Sequence, residues 1–266
     1  MHKYIKPFVY IYLLIYGINA NAQSSRFTDS VEVKQCGSAT ISFAIECAQK
    51  EPGIMRIHVH ENETTAVEAM HTQMQQTDKG CFVSWRCQSN RYIRFALGTD
   101  SFKFDPNRIY TDQGRMATLT ANGSFTPESD SIVKDIATFF LEKFIDSQKL
   151  VIAVHNNTDG GGLTINSFAK GGDYAKDTKK IHINKCLDED DFYLTTNTKI
   201  YEFLRKKNFN ILLQNNENVT DDGSLSVYAA QHKIAYLNVE AQHGHLEQQI
   251  EMLQAIQQYI DTKFRP

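Results

Sequence analysis

The sequence lacks a basic excess, a long apolar span beyond its first residues, and any Pro/Gly-rich linker. It carries 28 Lys+Arg against 31 Asp+Glu, a formal net charge of −3. A weakly acidic chain has no bulk electrostatic reason to seek nucleic acid or an anionic membrane. Internal repeats and low-complexity tracts are also missing. With 41% hydrophobic residues the composition is globular, not disordered, collagenous or fibrous. No C-x-x-C pair occurs among the five cysteines, which argues against a thiolate zinc site.

What is present begins with MHKYIKPFVYIYLLIYGINANA over residues 1–22. Two lysines precede an uncharged apolar run, and Ala20-Asn21-Ala22 closes it as an A-x-A cleavage signal. This pattern predicts a secretory signal peptide cleaved after Ala22, a secreted or periplasmic location, and no stable membrane insertion afterwards. The apolar run is too short for the ~20 residues that a bilayer span needs. Both charges in residues 1–22 are lysines, so residues 23–266 carry 26 basic against 31 acidic residues, a net charge of −5. They read as one domain. Cys36, Cys47, Cys81, Cys87 and Cys186 all lie within it. Export permits disulfides, but an odd count leaves at least one thiol unpaired. Cys81 and Cys87 on one straight strand would lie about 20 Å apart and cannot bond. Other pairings stay open.

Short β-branched runs alternate with helical patterns. Strands are predicted over residues 54–60 (IMRIHVH), 81–87, 150–155 (LVIAVH), 181–184, 209–213 and 235–240. Gln88-Ser89-Asn90 reads as a hairpin turn returning through a strand over 91–97. Helices are predicted over 64–76, 132–145, 199–207, 224–232 and 246–264. LVIAVH has the apolar character of a strand buried on both faces. The expectation is an α/β fold with a mixed central sheet flanked by helices.

Function in such sheets gathers at the carboxyl ends of strands. IMRIHVH runs into Glu61-Asn62-Glu63, LVIAVH ends at His155, and AYLNVE ends at Glu240. His60 and Glu63 form H-x-x-E, which aims an imidazole and a carboxylate at one point. His155 supplies a third ligand, the set that a catalytic Zn2+ wants beside an open position for water. His58, His182, His243 and His245 compete as ligands. By strand alternation His58 shares a face with His60.

Four segments, in order, resemble the succinylglutamate desuccinylase/aspartoacylase family within the zinc carboxypeptidase fold. They are HENETTAVEAM from His60, FDPNRIYT from Phe104, VHNNT from Val154 and NVEAQHG from Asn238. The resemblance implies a zinc carboxypeptidase-like fold with His60, Glu63 and His155 on zinc. It implies that Asn107 and Arg108 grip a substrate carboxylate, a task that suits the planar fork of arginine. It makes Glu240 the general base. The implied activity is cleavage of an amide or peptide bond beside a free carboxylate. Peptidoglycan-type peptides, small N-acyl amino acids and a non-catalytic binding module on the same fold are the competing outcomes.

Departures from the family pattern accompany the likeness. Glu61 stands where Gly is usual and adds a negative charge beside the site. Ala153-Val154 replace Asp-Leu, which leaves Glu68 or Asp159 to orient a ligand. The catalytic oxyanion arginine is assigned to Arg94, with Arg91 and Arg115 as alternatives. Tyr228 stands in for the substrate-side tyrosine. The chain ends soon after the helix following Glu240, without the family's extra C-terminal β-domain, which implies a more open site.

Overall fold

The computed structural model describes residues 27–161 and 163–264. The signal-peptide reading of residues 1–22 lies outside the described residues, as does Gly162. No helix among the described residues is long and apolar enough to cross a membrane.

A mixed sheet forms the centre. Its strands are β1 (Thr28–Cys36), β2 (Ala39–Cys47), β3 (Ile54–His58), β4 (Cys81–Arg86), β7 (Leu150–Asn157), β8 (Thr178–His182), β9 (Phe192–Thr195), β10 (Ile211–Gln214) and β11 (Ala235–Gln242). Their order is β1-β2-β4-β3-β7-β11-β9-β10-β8. The run β4-β3-β7-β11 is parallel, whereas β1, β2 and β8 join antiparallel. A second sheet pairs β5 (Ile93–Leu97) with β6 (Asp100–Phe104).

Helices cover both faces. On one side α1 (Thr64–Thr77), α4 (Thr198–Lys206) and α6 (Leu246–Lys263) build a core with Ile152, Val154 and Leu237. On the other, α2 (Asp112–Ala121), α3 (Pro127–Phe140) and α5 (Leu225–Gln231) close over Val151, Ala153 and Trp85, together with β5 and β6. Every residue from Leu150 to Asn156 is buried, as an apolar strand between two helical layers must be. α3 is opened by Pro127 at its first position and by a Thr126/Ser129 capping box.

The expected hairpin at Gln88-Ser89-Asn90 does not form. β4 pairs with β2 and β3, and β5 leaves the central sheet to pair with β6. The cause is Glu61. Its Oε2 accepts the backbone N–H groups of Cys87, Gln88 and Ser89 at 2.9, 2.8 and 2.5 Å. Three converging N–H groups make an anion nest, so the chain wraps the carboxylate rather than reversing beside β4. Ser89 takes the left-handed φ of 51° that this turn needs. The negative charge expected at Glu61 is thereby absorbed by backbone dipoles. Five elements had no clear periodic signal: β1, β2, β6, β9 and α2. β1 is an edge strand, exposed along its first four residues, so its faces are weakly patterned.

Cys47 and Cys81 face each other in the β2–β4 register and are disulfide-bonded, whereas Cys36, Cys87 and Cys186 are free. The bridge closes a loop with a sequence separation of 34, a length for which cross-linking typically contributes about 2–4 kcal/mol. Alkylation of the unfolded, unreduced protein is expected to label three thiols, and five after reduction. The Cys47→Ala/Cys81→Ala variant is expected to lose about 2–4 kcal/mol in a denaturant titration. Labelling of all five thiols without reductant contradicts the bridge.

Candidate metal centre

The carboxyl ends of β3, β7 and β11 meet at one point. β11 runs parallel to β7 with Glu240 directly opposite His155. β3 ends at His58, and the chain then turns, with the Glu63 N–H bonded to the His60 carbonyl at 2.9 Å. That turn breaks the alternation that would have put His58 and His60 on one face. His58 stays on the α1 side against Phe82, whereas His60 turns to Asp105.

His60, Glu63 and His155 come together with one ligand atom each, all within 4.8 Å of one another. Their side chains are almost wholly buried. His60 Nδ1 lies 2.8 Å from Glu63 Oε1, and His155 Nδ1 lies 2.9 Å from Glu63 Oε2. Two imidazole nitrogens and a carboxylate oxygen form the donor set of a catalytic zinc site, which leaves a coordination position open. The residues present therefore fit Zn2+. The other histidines are engaged elsewhere. His182 contacts Asn208, His243 contacts Thr65, and His245 contacts Asp191.

The residue that orients a ligand is Asp105, in place of the expected Glu68 or Asp159. Its Oδ1 lies 2.8 Å from His60 Nε2, which fixes Nδ1 as the free donor toward the cluster. Asp105 begins the DPNR segment, so its signal was in the sequence. His155 is steadied through its backbone. Gln249 of α6, fully buried, donates from Nε2 to the His155 carbonyl at 2.9 Å. Asn156 Nδ2 donates to Gln249 Oε1. Asn156 Oδ1 accepts the Ala66 N–H in the first turn of α1 at 2.8 Å. This bond replaces a local cap, because the N-cap residue is Glu63 and its side chain faces the imidazoles.

Arg94 is not at the site. It is exposed on β5, its backbone held by the Gln88 side chain. Leaving the Glu61 nest, the chain instead brings Arg91 to Glu63 Oε1 at 3.0 Å and Asp105 Oδ2 at 3.2 Å. Arg115 is buried between Asp112 and Asp130, where it ties α2 to α3. Tyr228 points elsewhere too, its hydroxyl donating to Asp146. Tyr236 is buried on the face of β11 that also carries Asn238 and Glu240.

Asn107 and Arg108 lie on the helical turn Pro106–Arg108, capped by Asp105. Arg108 Nη1 donates to the Asn107 carbonyl at 2.7 Å, and Nε stands 3.6 Å from Asp222. The polar 215–226 loop folds back over this turn. Asn107 Oδ1 accepts the Leu225 N–H, and the Tyr110 N–H bonds the Gly223 carbonyl. Gly223 has φ +77°, and a Cβ there would stand 2.5 Å from the Arg108 carbonyl oxygen; only glycine lets the loop approach so closely.

Charge is strongly organised here. Burial pushes the His60 imidazole down, but the charges of Glu63 and Asp105 outweigh it and hold it up at about 9. Burial raises Glu63, and His60 and His155 more than reverse this, leaving it well below the usual carboxylate range. Glu240 shifts the other way. It is 5% exposed, and burial followed by the Glu63 charge raises it against the opposing His155, Asn238 and Arg91. Asn238 Nδ2 donates to Glu240 Oε2 at 2.8 Å.

No family model and no curated protein matches this sequence. Among solved structures, the chain is similar to thrombin activatable fibrinolysis inhibitor, at 13% identity and a TM-score of 0.47, over 87% of this chain and 68% of that one. It is similar to an aspartoacylase family protein from Mesorhizobium loti, at 12% identity and a TM-score of 0.44, over 87% and 67%. It is also similar to a succinylglutamate desuccinylase/aspartoacylase from Rhodobacter sphaeroides, at 9% identity and a TM-score of 0.41, over 89% and 70%.

Zinc titration of the chelator-treated protein is expected to give one ion per chain, and His60→Ala/His155→Ala to lose it. Binding must displace the His60 proton, so affinity is expected to rise as pH increases toward about 9. Calorimetry in two buffers of different ionisation enthalpy measures the proton release. Full zinc retention by the double variant moves the metal elsewhere.

Proposed function

We propose that this chain is an exported zinc-dependent hydrolase that cleaves an amide or peptide bond beside a free carboxylate. The observation that carries the reading is the meeting of His60, Glu63 and His155 within 4.8 Å, with Glu240 register-paired to His155. When bound, Zn2+ supplies Lewis acidity toward a carbonyl and acidifies water.

The chain's own groups account for the rest. Arg108 and Asn107 are assigned to the substrate carboxylate. The Asp222 contact of Arg108 is long and half-exposed, a pairing of little strength that a substrate carboxylate can displace. Glu240 is assigned to the proton. Its raised affinity for a proton suits a group that takes one from water and returns it to the departing nitrogen. Arg91 is assigned to a developing oxyanion, because its guanidinium is the one beside Glu63. The Cys47–Cys81 bridge supports export to an oxidising compartment. Peptides, including peptidoglycan-type peptides, are the preferred substrate class, with small N-acyl amino acids as the second.

Glu240→Gln keeps the size and the acceptor toward Asn238 but cannot carry the proton. It is expected to retain zinc and substrate affinity and to lose about 10²–10⁴-fold in kcat. Near-normal kcat on any substrate removes Glu240 from the role. Arg108→Ala is expected to lose the preference for a free acid over its amide, read as the ratio of kcat/KM values. A binding module without catalysis predicts peptide capture and no cleavage by the zinc-loaded wild type.

A further inference from the structure

The central sheet ends in two outer strands, β1 and β8. An open strand edge is a template for pairing with another chain, and folded proteins blunt it with short strands, lysines or bulges. β8 uses all three devices. It is five residues long, Lys179 and Lys180 on it are exposed, and its pairing with β10 shifts register between Leu213 and Gln214. β1 is neither short nor bulged. It runs nine residues in unbroken register with β2, and Val31 and Val33 stand 60% and 55% exposed. Its one lysine, Lys34, folds back with Nζ 4.3 Å from the centre of the Phe139 ring.

The open edge has a defined hydrogen-bonding pattern. Cys47 and Cys81 stand opposite each other on β2 and β4 with Cα atoms 4.2 Å apart. Antiparallel pairs without mutual backbone bonds lie about 4.5 Å apart, and bonded pairs about 5.5 Å. Cys47 therefore turns its N–H and C=O toward β1. Alternation along β2 gives Ala39 the same sense, and Ala39 closes the two-residue turn against Cys36 as a bonded pair. Glu32, Lys34 and Cys36 thus bond inward to β2. Val31, Val33 and Gln35 present their N–H and C=O groups to the open side, where no strand among the described residues takes them up.

The side chains select the partner. In an antiparallel pairing of β1 with a second β1, a two-fold axis at Val33 sets Val33 opposite Val33, Val31 opposite Gln35 and Glu32 opposite Lys34. The first two are pairs of outward-facing residues, which can exchange both backbone bonds. The third joins opposite charges at the closer, non-bonded positions. Moving the axis by one residue, to Glu32 or Lys34, sets two carboxylates or two ammoniums face to face, which is destabilising. On the opposite face, Val31 and Val33 of both copies meet and lose water. We propose that β1 is the interface of a homodimer, in which two copies pair antiparallel about Val33 and join their nine-stranded sheets into one. The inference stands apart from the hydrolase reading.

Sedimentation velocity of the purified protein, with accessible thiols alkylated, reads the association. A monomer–dimer equilibrium is expected with a Kd between about 1 and 100 µM, the scale of several net hydrogen bonds. Val33→Pro removes an N–H that β2 does not use, a place where an edge strand tolerates proline. It is expected to give a monomer, with zinc content and thermal unfolding showing that it is folded. Glu32→Lys is expected to weaken association about tenfold, because ammonium groups then oppose each other across the axis. Glu32→Lys/Lys34→Glu reverses both partners and is expected to restore the Kd to within about threefold. If Val33→Pro does not fold, the charge exchange decides alone. The proposal is overturned by a wild type that stays monomeric at about 1 mM, or by a dimer that folded Val33→Pro retains. It is equally overturned by a dimer indifferent to Glu32→Lys, or by a loss that the second substitution does not repair.

Discussion

Glu63 keeps its negative charge with almost no water around it. Oε1 meets His60 and Arg91, and Oε2 meets His155. A buried carboxylate survives ionised only when paired and hydrogen-bonded, and each partner arrives from a different part of the chain. Strand β7 and the turn that follows β3 deliver the imidazoles, and the turn wound around Glu61 delivers the arginine. Asp105 repeats the arrangement behind His60. The negative charge of the cluster is offset by a proton on His60, and a divalent cation in place of that proton would meet the same carboxylates with one further positive charge. Metal loading is thus an exchange within a prepared charge pattern, and it need not create a buried charge from nothing.

The parallel strands make this arrangement possible. Parallel register aligns the carboxyl ends of β3, β7 and β11, so short sequence motifs far apart in the chain become neighbours. That is why His60, Glu63, His155 and Glu240 were legible from sequence: His60 and Glu63 follow the end of β3, His155 and Glu240 lie near the ends of β7 and β11, and motif and apolar pattern pointed to the same end of the sheet. The helices over 64–76 and 246–264 were legible for the same reason. What was missed depended on side chains bonding to backbone. Nothing in the Gln88-Ser89-Asn90 tripeptide shows that a carboxylate 27 residues upstream will hold it. Arg94 was preferred to Arg91 because spacing along a strand says nothing about the turn that precedes it. Gln249 and Asn156 act through amides that no periodicity marks.

Polar burial thus divides between two jobs. Around the metal centre nearly every buried group is paired, through Asp105, Asn238 and the Gln249–Asn156 relay. On the far side of Glu63 the same strand ends in His58, whose ring is tied to a backbone carbonyl at one nitrogen only. The backbone of one residue, Glu63, separates a largely satisfied cluster, with Asn238 Oδ1 its exception, from an incompletely satisfied one.

The Asn156 bond to the Ala66 N–H has a consequence for how the molecule comes into being. The opening turn of α1 takes its cap from a strand 90 residues later, so it cannot be completed by local collapse. Closing so long a loop is entropically costly and slow compared with forming a helix. The imidazoles of His60 and His155 stay apart until the same closure occurs. The chelating geometry therefore does not exist before the chain folds, and ion capture becomes a late event, timed by the docking of β7 between β3 and β11.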